Sequence, residues 1–538
     1  MARRSTHFIF AFLIASCAFA QPSIYSTEVV NSASYLYQGQ PGSGIAQGSI
    51  FTIFGTGLGT NTLAQAGPLP LKTSLSGTSV TVTVGGQTVK AYILFAVSYQ
   101  VNALLPSATP TGSGSVTVTY NNQTSAPEPV QIVPASFATY TFYSSGRGQA
   151  SATDLNGNSN TIIKTFHPGD WVILWGTGLG AINGDDSTTP PVGNLGSPTV
   201  HVGTASLTPP YAGRSAQYPG LDQVQFQIPS GVQGCDVPVA VEINGVVSGS
   251  PTIAVSASGQ TCSDSILGQD LIDKLAAGGT VHFGFVQLFA IILRYPPLPA
   301  GISVPDFGEA TFSEFTPQSA GLASYGVSQG YCITGNIQPD ASPGQLDAGA
   351  AITMQGPTTA TIPQSYPGWG IYFTSFNTGA QFFWSDLNYT VSGPGGAKVG
   401  AFSVSDTTSI PSAYFSGITA GQTFPRSSDL TVTWTGGDPT LQNGQVTIAG
   451  YSGGTANGSS ISGAFMCTAP LSAKSFTIPK WVLSTLPPSA TGHIGIAPYP
   501  IGYIWIGQFN TPVTFQAPGL DKGILMDEFY NGYPVYFQ

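Results

Sequence analysis

The 538-residue chain has 14 Lys and Arg against 24 Asp and Glu, so 7% of it is charged and its formal net charge is −10; soluble domains carry about 25% charged residues. With no basic surface to meet a phosphate backbone, nucleic acid is excluded as a general partner. Apolar residues still make up 41%, beside 68 Gly and 42 Pro, so disorder is excluded and turn-rich all-β structure in roughly three or four domains is expected.

Residues 1–20 read as a secretory signal. Arg3 and Arg4 form a basic start, Phe8 to Leu13 begin a short apolar core, and Ala18-Phe19-Ala20 is a small-x-small cleavage site before Gln21. The segment Ile14-Ala15-Ser16-Cys17 also reads as a lipobox, which would anchor the chain through a lipid on Cys17. Either way the chain is expected to be secreted or at the cell surface. Loss of Arg3 and Arg4 leaves 12 basic against 24 acidic residues.

Two tandem copies follow. Gln47 to Gly59 reads QGSIFTIFGTGLG and Pro168 to Gly180 reads PGDWVILWGTGLG, with identical pentapeptides beginning at Gly55 and Gly176. VSYQVNALLP at 97–106 matches LDQVQFQIP at 221–229 in the same order. Val80, Val82 and Val84 alternate with Thr, as do Val116, Val118 and Tyr120 in the first copy, and Val237, Val239, Val241 and Ile243 alternate in the second. Asn244-Gly245 then supplies a hairpin turn. Period-two patterns between turns predict antiparallel sandwiches over 25–137 and 138–262.

The GSIFTIFGTGLG and DWVILWGTGLG blocks resemble the opening strand and Gly turn of IPT/TIG-type immunoglobulin-like domains. The wider layout, with VVNSASY at 29–35, is similar to a family of exported acidobacterial proteins with duplicated domains of this kind. That resemblance implies a fold and an export route; it implies no activity.

Residues 263–279 predict a linker helix, with Leu267, Leu271, Ile272 and Leu275 on one face, Ser263-Asp264-Ser265 as cap and Gly278-Gly279 as stop. Strand patterns resume in 280–538, which predicts a larger β-sandwich-like domain. Within it 281–295 is too short to span a bilayer and reads as a buried strand or hairpin. The stretch 488–538 reads as edge strands or a wrap. Four Cys remain beyond the signal. Pairing Cys235 with Cys262 and Cys332 with Cys467 keeps each disulfide inside one proposed domain.

Candidate chemistry is sparse. Neither GTGLG copy is followed by a helical period or a GK[ST] ending, so both read as turns rather than phosphate cradles. Gly326-Val327-Ser328-Gln329-Gly330 matches the nucleophile-elbow pattern, but a strand follows where a helix is required. His167, His201, His282 and His493 are scattered. Glu309 and Glu314, five apart, face opposite sides of a strand and cannot flank one glycosidic bond. Asp185-Asp186 reads as solvated. Asp154, Asn156 and Asn158 alternate as calcium ligands do, although a hairpin turn explains Asn-Gly equally well; no other cofactor is expected. Trp369, Tyr372 and Trp384, among Phe373, Phe376, Phe382 and Phe383, offer a sugar-stacking platform, with core packing as the plainer account, and YIWIGQF at 503–509 has the same two readings. The sequence therefore favours an exported, non-catalytic binding or adhesion protein whose partner is an extracellular polymer, glycan or protein, with no transmembrane span. The alternatives are a carbohydrate-binding protein using those aromatics and an extracellular hydrolase with a site in 280–538.

Overall fold

The computed structural model describes residues 21–142, 144–262, 266–293, 302–303, 306–322, 326–335, 344–356, 359–366, 368, 370–376, 387–408, 413–441, 444–456, 458–494 and 497–538. The protein is all-β, built from immunoglobulin-like sandwiches, one short helix and a larger sandwich-like C-terminal region. In the first sandwich the strands Ser23–Asn31, Ile50–Thr56, Gln100–Leu104, Tyr92–Val97 and Ala64–Gln65 form one sheet. Ile45–Ala46, Glu128–Val133, Gly112–Tyr120, Thr78–Val84 and Gln87–Lys90 form the other. Val80, Val82, Val116 and Val118 point into the core between them while the intervening Thr residues stay wet. Each such Val contributes about 1.5–3 kcal/mol on burial.

The second sandwich repeats the plan. Trp171–Thr177 pairs antiparallel with Asp222–Gln227, as Ile50–Thr56 pairs with Gln100–Leu104. These are the two strand pairs that carry the matched sequence blocks. The facing sheet is built on Thr199–Val202 and Gly234–Ile243.

The helix is shorter than its apolar pattern predicts, running from Gln269 to Ala276. Gly268 stands at φ 87 with no side chain to cap the helix, a backbone conformation from which an α-helix cannot be continued backwards. The expected cap Ser263–Ser265 lies outside the described residues. Leu267, Leu271, Ile272 and Leu275 are buried together, against Phe283 and Phe285.

The C-terminal region is built on one broad sheet of eleven strands. Its central order is Cys332–Gly335, Ser459–Pro470, Gln445–Ala456, Gly502–Phe509, Lys522–Pro534, Val281–Leu293 and Asp306–Phe315, with Ile371–Phe376 paired beyond. One face packs on a four-stranded and a three-stranded sheet, giving two cores side by side. Val281–Leu293 is a single central strand. Residues 488–538 are not all edge or wrap: Thr491–Ile494 and Ala497–Pro500 form a separate two-stranded sheet and Tyr536–Phe537 pairs with Thr423–Phe424, but Lys522–Pro534 sits in the middle of the broad sheet, parallel to Val281–Leu293. Asp527, Glu528 and Asn531 interrupt its apolar run, so it lacks the continuous hydrophobic signature of a strand buried on both faces. Disulfides join Cys235 to Cys262 and Cys332 to Cys467. Among the described residues no helix is long and apolar enough to cross a membrane.

Candidate functional site

The second GTGLG turn is filled by the protein's own anion. Asp222 Oδ2 accepts from the backbone N–H of Gly178 (2.7 Å) and Leu179 (2.8 Å). Asp222 Oδ1 accepts from Arg214 Nη1 at 2.7 Å, and Arg214 Nη2 donates to Gly180 O at 2.8 Å. Both side chains are completely buried. Burial pushes the Asp222 carboxyl up to about 6 against the pull of Arg214 and the two amides. A carboxylate thus occupies the position a phosphate would take. In the first copy Tyr99 stands where the second has Asp222, and it is exposed. The difference follows from location: Thr177 Oγ1 accepts from Ile50 N at 2.9 Å, so the second turn is wedged against the first sandwich.

The remaining sequence candidates separate cleanly. Ser328 is a staple rather than a nucleophile. Its Oγ accepts from Asp236 N at 2.9 Å, its N–H donates to Asp236 O, and its carbonyl accepts from Thr468 Oγ1. His167, His201 and His282 each face a carboxylate, Asp170, Glu242 and Glu314, and His201 stacks on Trp481 with ring centroids 5.2 Å apart. Asp186 is not solvated: it is buried, accepting from Ser107 N and Oγ at 2.6 and 2.7 Å across the two sandwiches. The Asp154 loop closes on itself. Asp154 Oδ1 accepts from Asn156 N and Asn158 N, and Oδ2 from Asn158 Nδ2, all at 2.8 Å. These bonds, first that from Asn158, hold the Asp154 carboxyl below its usual range.

Tyr372 is no platform. It pairs with Ala310 in the inward row, is 0% exposed, and its hydroxyl donates to Gly349 O at 2.7 Å. Its neighbour Phe373 is the exposed ring, at 46%, stacked on Phe307, which stacks in turn on Phe289. Trp369 and Trp384 lie outside the described residues.

What the sequence does not show is a cleft of about 570 Å³ where all three parts of the chain meet. One wall is the 34–41 loop of the first sandwich, with Tyr35 and Tyr37. Another is 145–147 and 247–249 of the second, and the floor is the broad sheet, with Tyr451 and Trp505. Trp505 and Tyr503 point this way because Ile504 and Ile506, between and beyond them, fill the core. Tyr451 stacks on Tyr503 with centroids 6.3 Å apart. Tyr37 is 50% exposed. Tyr35 holds φ 53, a left-handed conformation costly for a bulky residue; its ring lies against Phe54 with centroids 6.2 Å apart, and its hydroxyl faces the side chains of Ser144 and Thr52. Ser34, Ser145, Ser460, Ser462, Thr485 and Gln40 also line the cleft; Arg147 is the charged residue of the lining and no carboxylate contributes among the described residues. Gln40 Nε2 donates to Ser462 O at 2.7 Å, tying the loop to the sheet.

Beside this floor lies a buried acid. Trp505 packs edge-on to Tyr530, centroids 6.5 Å apart, and Gly507 leaves room for that ring, since a Cβ there would come within 2.6 Å of it. Tyr530 Oη donates to Glu528 Oε2 at 2.9 Å, and Gln287 Nε2 donates to Oε1. Desolvation pushes Glu528 up to about 8, with Asp527 and Glu309 adding to it. Burial likewise raises Glu309. Glu309 and Glu314 do face opposite sides; Glu309 instead adds its negative charge to the surroundings of Glu528, 219 residues on, which no local spacing signals.

Residues 40–132 match the IPT/TIG domain family. None of the curated proteins compared matches the chain. Among solved structures the chain is similar to domains 5–6 of the S-layer protein SbsC, at 15% identity over 44% of this chain and 100% of that one, TM-score 0.16. It is also similar to titin domains A168–A170, at 9% identity over 71% of this chain and 92% of that one, TM-score 0.14. Sidekick-1 immunoglobulin domains 1–5 align at 9% identity over 94% of this chain and 81% of that one, TM-score 0.13. The all-β assignment itself rests on the strands described above.

Proposed function

We propose that the chain is an exported, non-catalytic binding protein that holds a neutral saccharide in the cleft between its three parts. The observation that carries this reading is the lining: Tyr37, Tyr451 and Trp505 from different parts of the chain, with hydroxyl and amide residues in the same lining and no carboxylate among the described residues. Ring faces stack on the apolar side of a pyranose, and hydroxyl and amide groups meet its edge. The low charge of the whole chain suits a ligand recognised without ion pairs. Two disulfides support an oxidising, extracellular setting.

The test is a glycan array with the full chain, followed by calorimetry on the best saccharide. Tyr37→Ala and Trp505→Ala should each weaken binding at least about tenfold, as expected for loss of one stacked ring at about 1.4 kcal/mol per factor of ten. Tyr37 is half-exposed, so its removal should leave the circular dichroism spectrum unchanged. Failure of every array glycan to bind, or full affinity in both variants, would overturn the reading.

A further inference from the structure

When one face of an antiparallel sheet is wet, the row of side chains on that face is ordinarily polar. Trp171–Thr177 departs from this. Val172 and Leu174 fill the core of the second sandwich, and the alternate row, Trp171, Ile173 and Trp175, points the other way. Trp171 is 36% exposed, and Ile173 and Trp175 are half-buried. The tandem copy gives the contrast. Aligned on the GTGLG blocks, the same row of the first sandwich is Ile50, Thr52 and Phe54, and the chain itself covers most of it. The Tyr35 ring lies against Phe54, Thr52 is fully buried, and Ile50 lies under Gly220 of the second sandwich, where a Cβ would come within 2.6 Å of it. In the second copy the row is larger and open.

The register places its neighbours. Trp171, Ile173 and Trp175 pair with Gln227, Gln225 and Gln223. Thr153 lies opposite Ile173 on one side, and Tyr211 lies opposite Gln225 on the other. Thr153, Ile173, Gln225 and Tyr211 therefore form one line across four strands. The rings are held to the sheet. Trp175 Nε1 donates to Thr153 Oγ1 at 3.1 Å. Tyr211 lies along its own strand over Gly213, where a Cβ would come within 2.8 Å of its hydroxyl, and that hydroxyl donates to Arg214 O at 3.0 Å. No charged side chain stands in these outward rows. The acids that flank them in sequence, Asp154 and Asp170, accept from their own turns, from Asn156 N and His167 N.

We propose that this face is a second binding surface, and that it takes the flat side of an extended, neutral, β-1,4-linked polysaccharide. Aromatic rings stack on the apolar side of a pyranose, and the Gln amides on the next strand meet its hydroxyls. Trp171 and Trp175 are four residues apart, about 13 Å along the strand. That is wider than one sugar, so both rings engage only a chain. A charged polymer finds no counter-ion in these rows. Rings already bonded to the sheet lose little freedom on binding. An open sheet accepts the side of a long polymer, whereas the cleft encloses a short glycan, so this surface goes beyond the cleft reading and does not depend on it.

The experiment is depletion of the full chain from solution by microcrystalline cellulose and by chitin, beside calorimetry with the short glycan that the array selects. Saturable uptake by at least one polymer is expected. Trp171→Ala should lower the partition about tenfold and Gln225→Ala about threefold, with circular dichroism spectra and short-glycan affinity unchanged. Trp505→Ala should do the reverse, weakening the short glycan and sparing the polymer. Failure of the cleft reading would show on the array and leave this test standing. The proposal fails if neither polymer takes up the wild-type chain, or if Trp171→Ala binds as well as wild type. It fails if Trp505→Ala removes uptake, since the cleft would then hold the polymer. It fails too if sedimentation shows a wild-type dimer that Trp171→Ala dissolves, because a second copy would then cover the face.

Discussion

Glu528→Gln tests the buried acid beside the cleft. Glu528 is 5% exposed, and its two oxygens are occupied by Gln287 and Tyr530 rather than by a cation. Burial pushes its carboxyl up to about 8 in the folded chain, against an ordinary 4.5. A raised value means that the folded chain keeps a proton the unfolded chain has released. The stabilisation is complete below about pH 4.5 and is lost as pH rises through about 8. The slope is about 1.4 kcal/mol per pH unit, which over this interval sets a ceiling of about 5 kcal/mol. Glutamine mimics the protonated acid: its oxygen accepts from Gln287, its Nε2 donates to Tyr530 Oη in reverse of the bond Tyr530 makes to the carboxylate, and it has no proton to lose. Urea unfolding followed by Trp fluorescence at pH 5 to 9 should show wild-type stability falling across this range. The variant should fall less steeply by one proton, match wild type within about 1 kcal/mol at pH 5, and exceed it at pH 9. Equal slopes, or a variant weaker than wild type at pH 9, would refute the reasoning.

Three further outcomes are expected. Arg214→Ala leaves Asp222 buried on two backbone amides alone and should cost about 3–5 kcal/mol in urea unfolding; a loss below about 1 kcal/mol would show that the pair is not the clamp of the turn. Gly178→Ala forces a side chain onto a residue at φ 111, with Ser136 O 2.2 Å from the new Cβ, and should lower stability by about 2 kcal/mol or more, measured the same way. Replacing Cys332 and Cys467 by Ser opens a link across 135 residues, against 27 for Cys235 and Cys262. The first double variant should therefore lose more stability than the second, within about 2–5 kcal/mol, and the opposite ranking would count against a loop-closure origin.

Local periodicity made part of the molecule readable. Val80, Val82 and Val84 alternate against Thr, and that row is the core of the first sandwich. The GTGLG blocks lack a following helical pattern, and they are turns. Leu267, Leu271, Ile272 and Leu275 share a face, and that face is buried. The pattern failed where the outcome depends on partners distant in sequence. GIYFTSF alternates, but period two does not say which row faces inward; the pairing of Tyr372 with Ala310 decides it. Asp185 and Asp186 look alike in a polar loop, and only the approach of Ser107 buries the second. The segment 522–534 carries two acids and an Asn, so it does not read as a strand covered on both faces. The cleft needs segments 34–41, 145–147 and 247–249 to meet a sheet whose lining residues run from Gly335 to Trp505, and no spacing records that meeting. Trp505 was visible as one of the aromatics of YIWIGQF, without its neighbours.

The most direct measurement of the binding claim is hydrogen–deuterium exchange of the full chain with and without the tightest array glycan. Segments 34–41, 145–147, 247–249 and 460–464 should all gain protection together, because each contributes a wall of the same cleft. Protection confined to one of these segments, or appearing only around Phe289, Phe307 and Phe373, would contradict a saccharide site at the three-way junction.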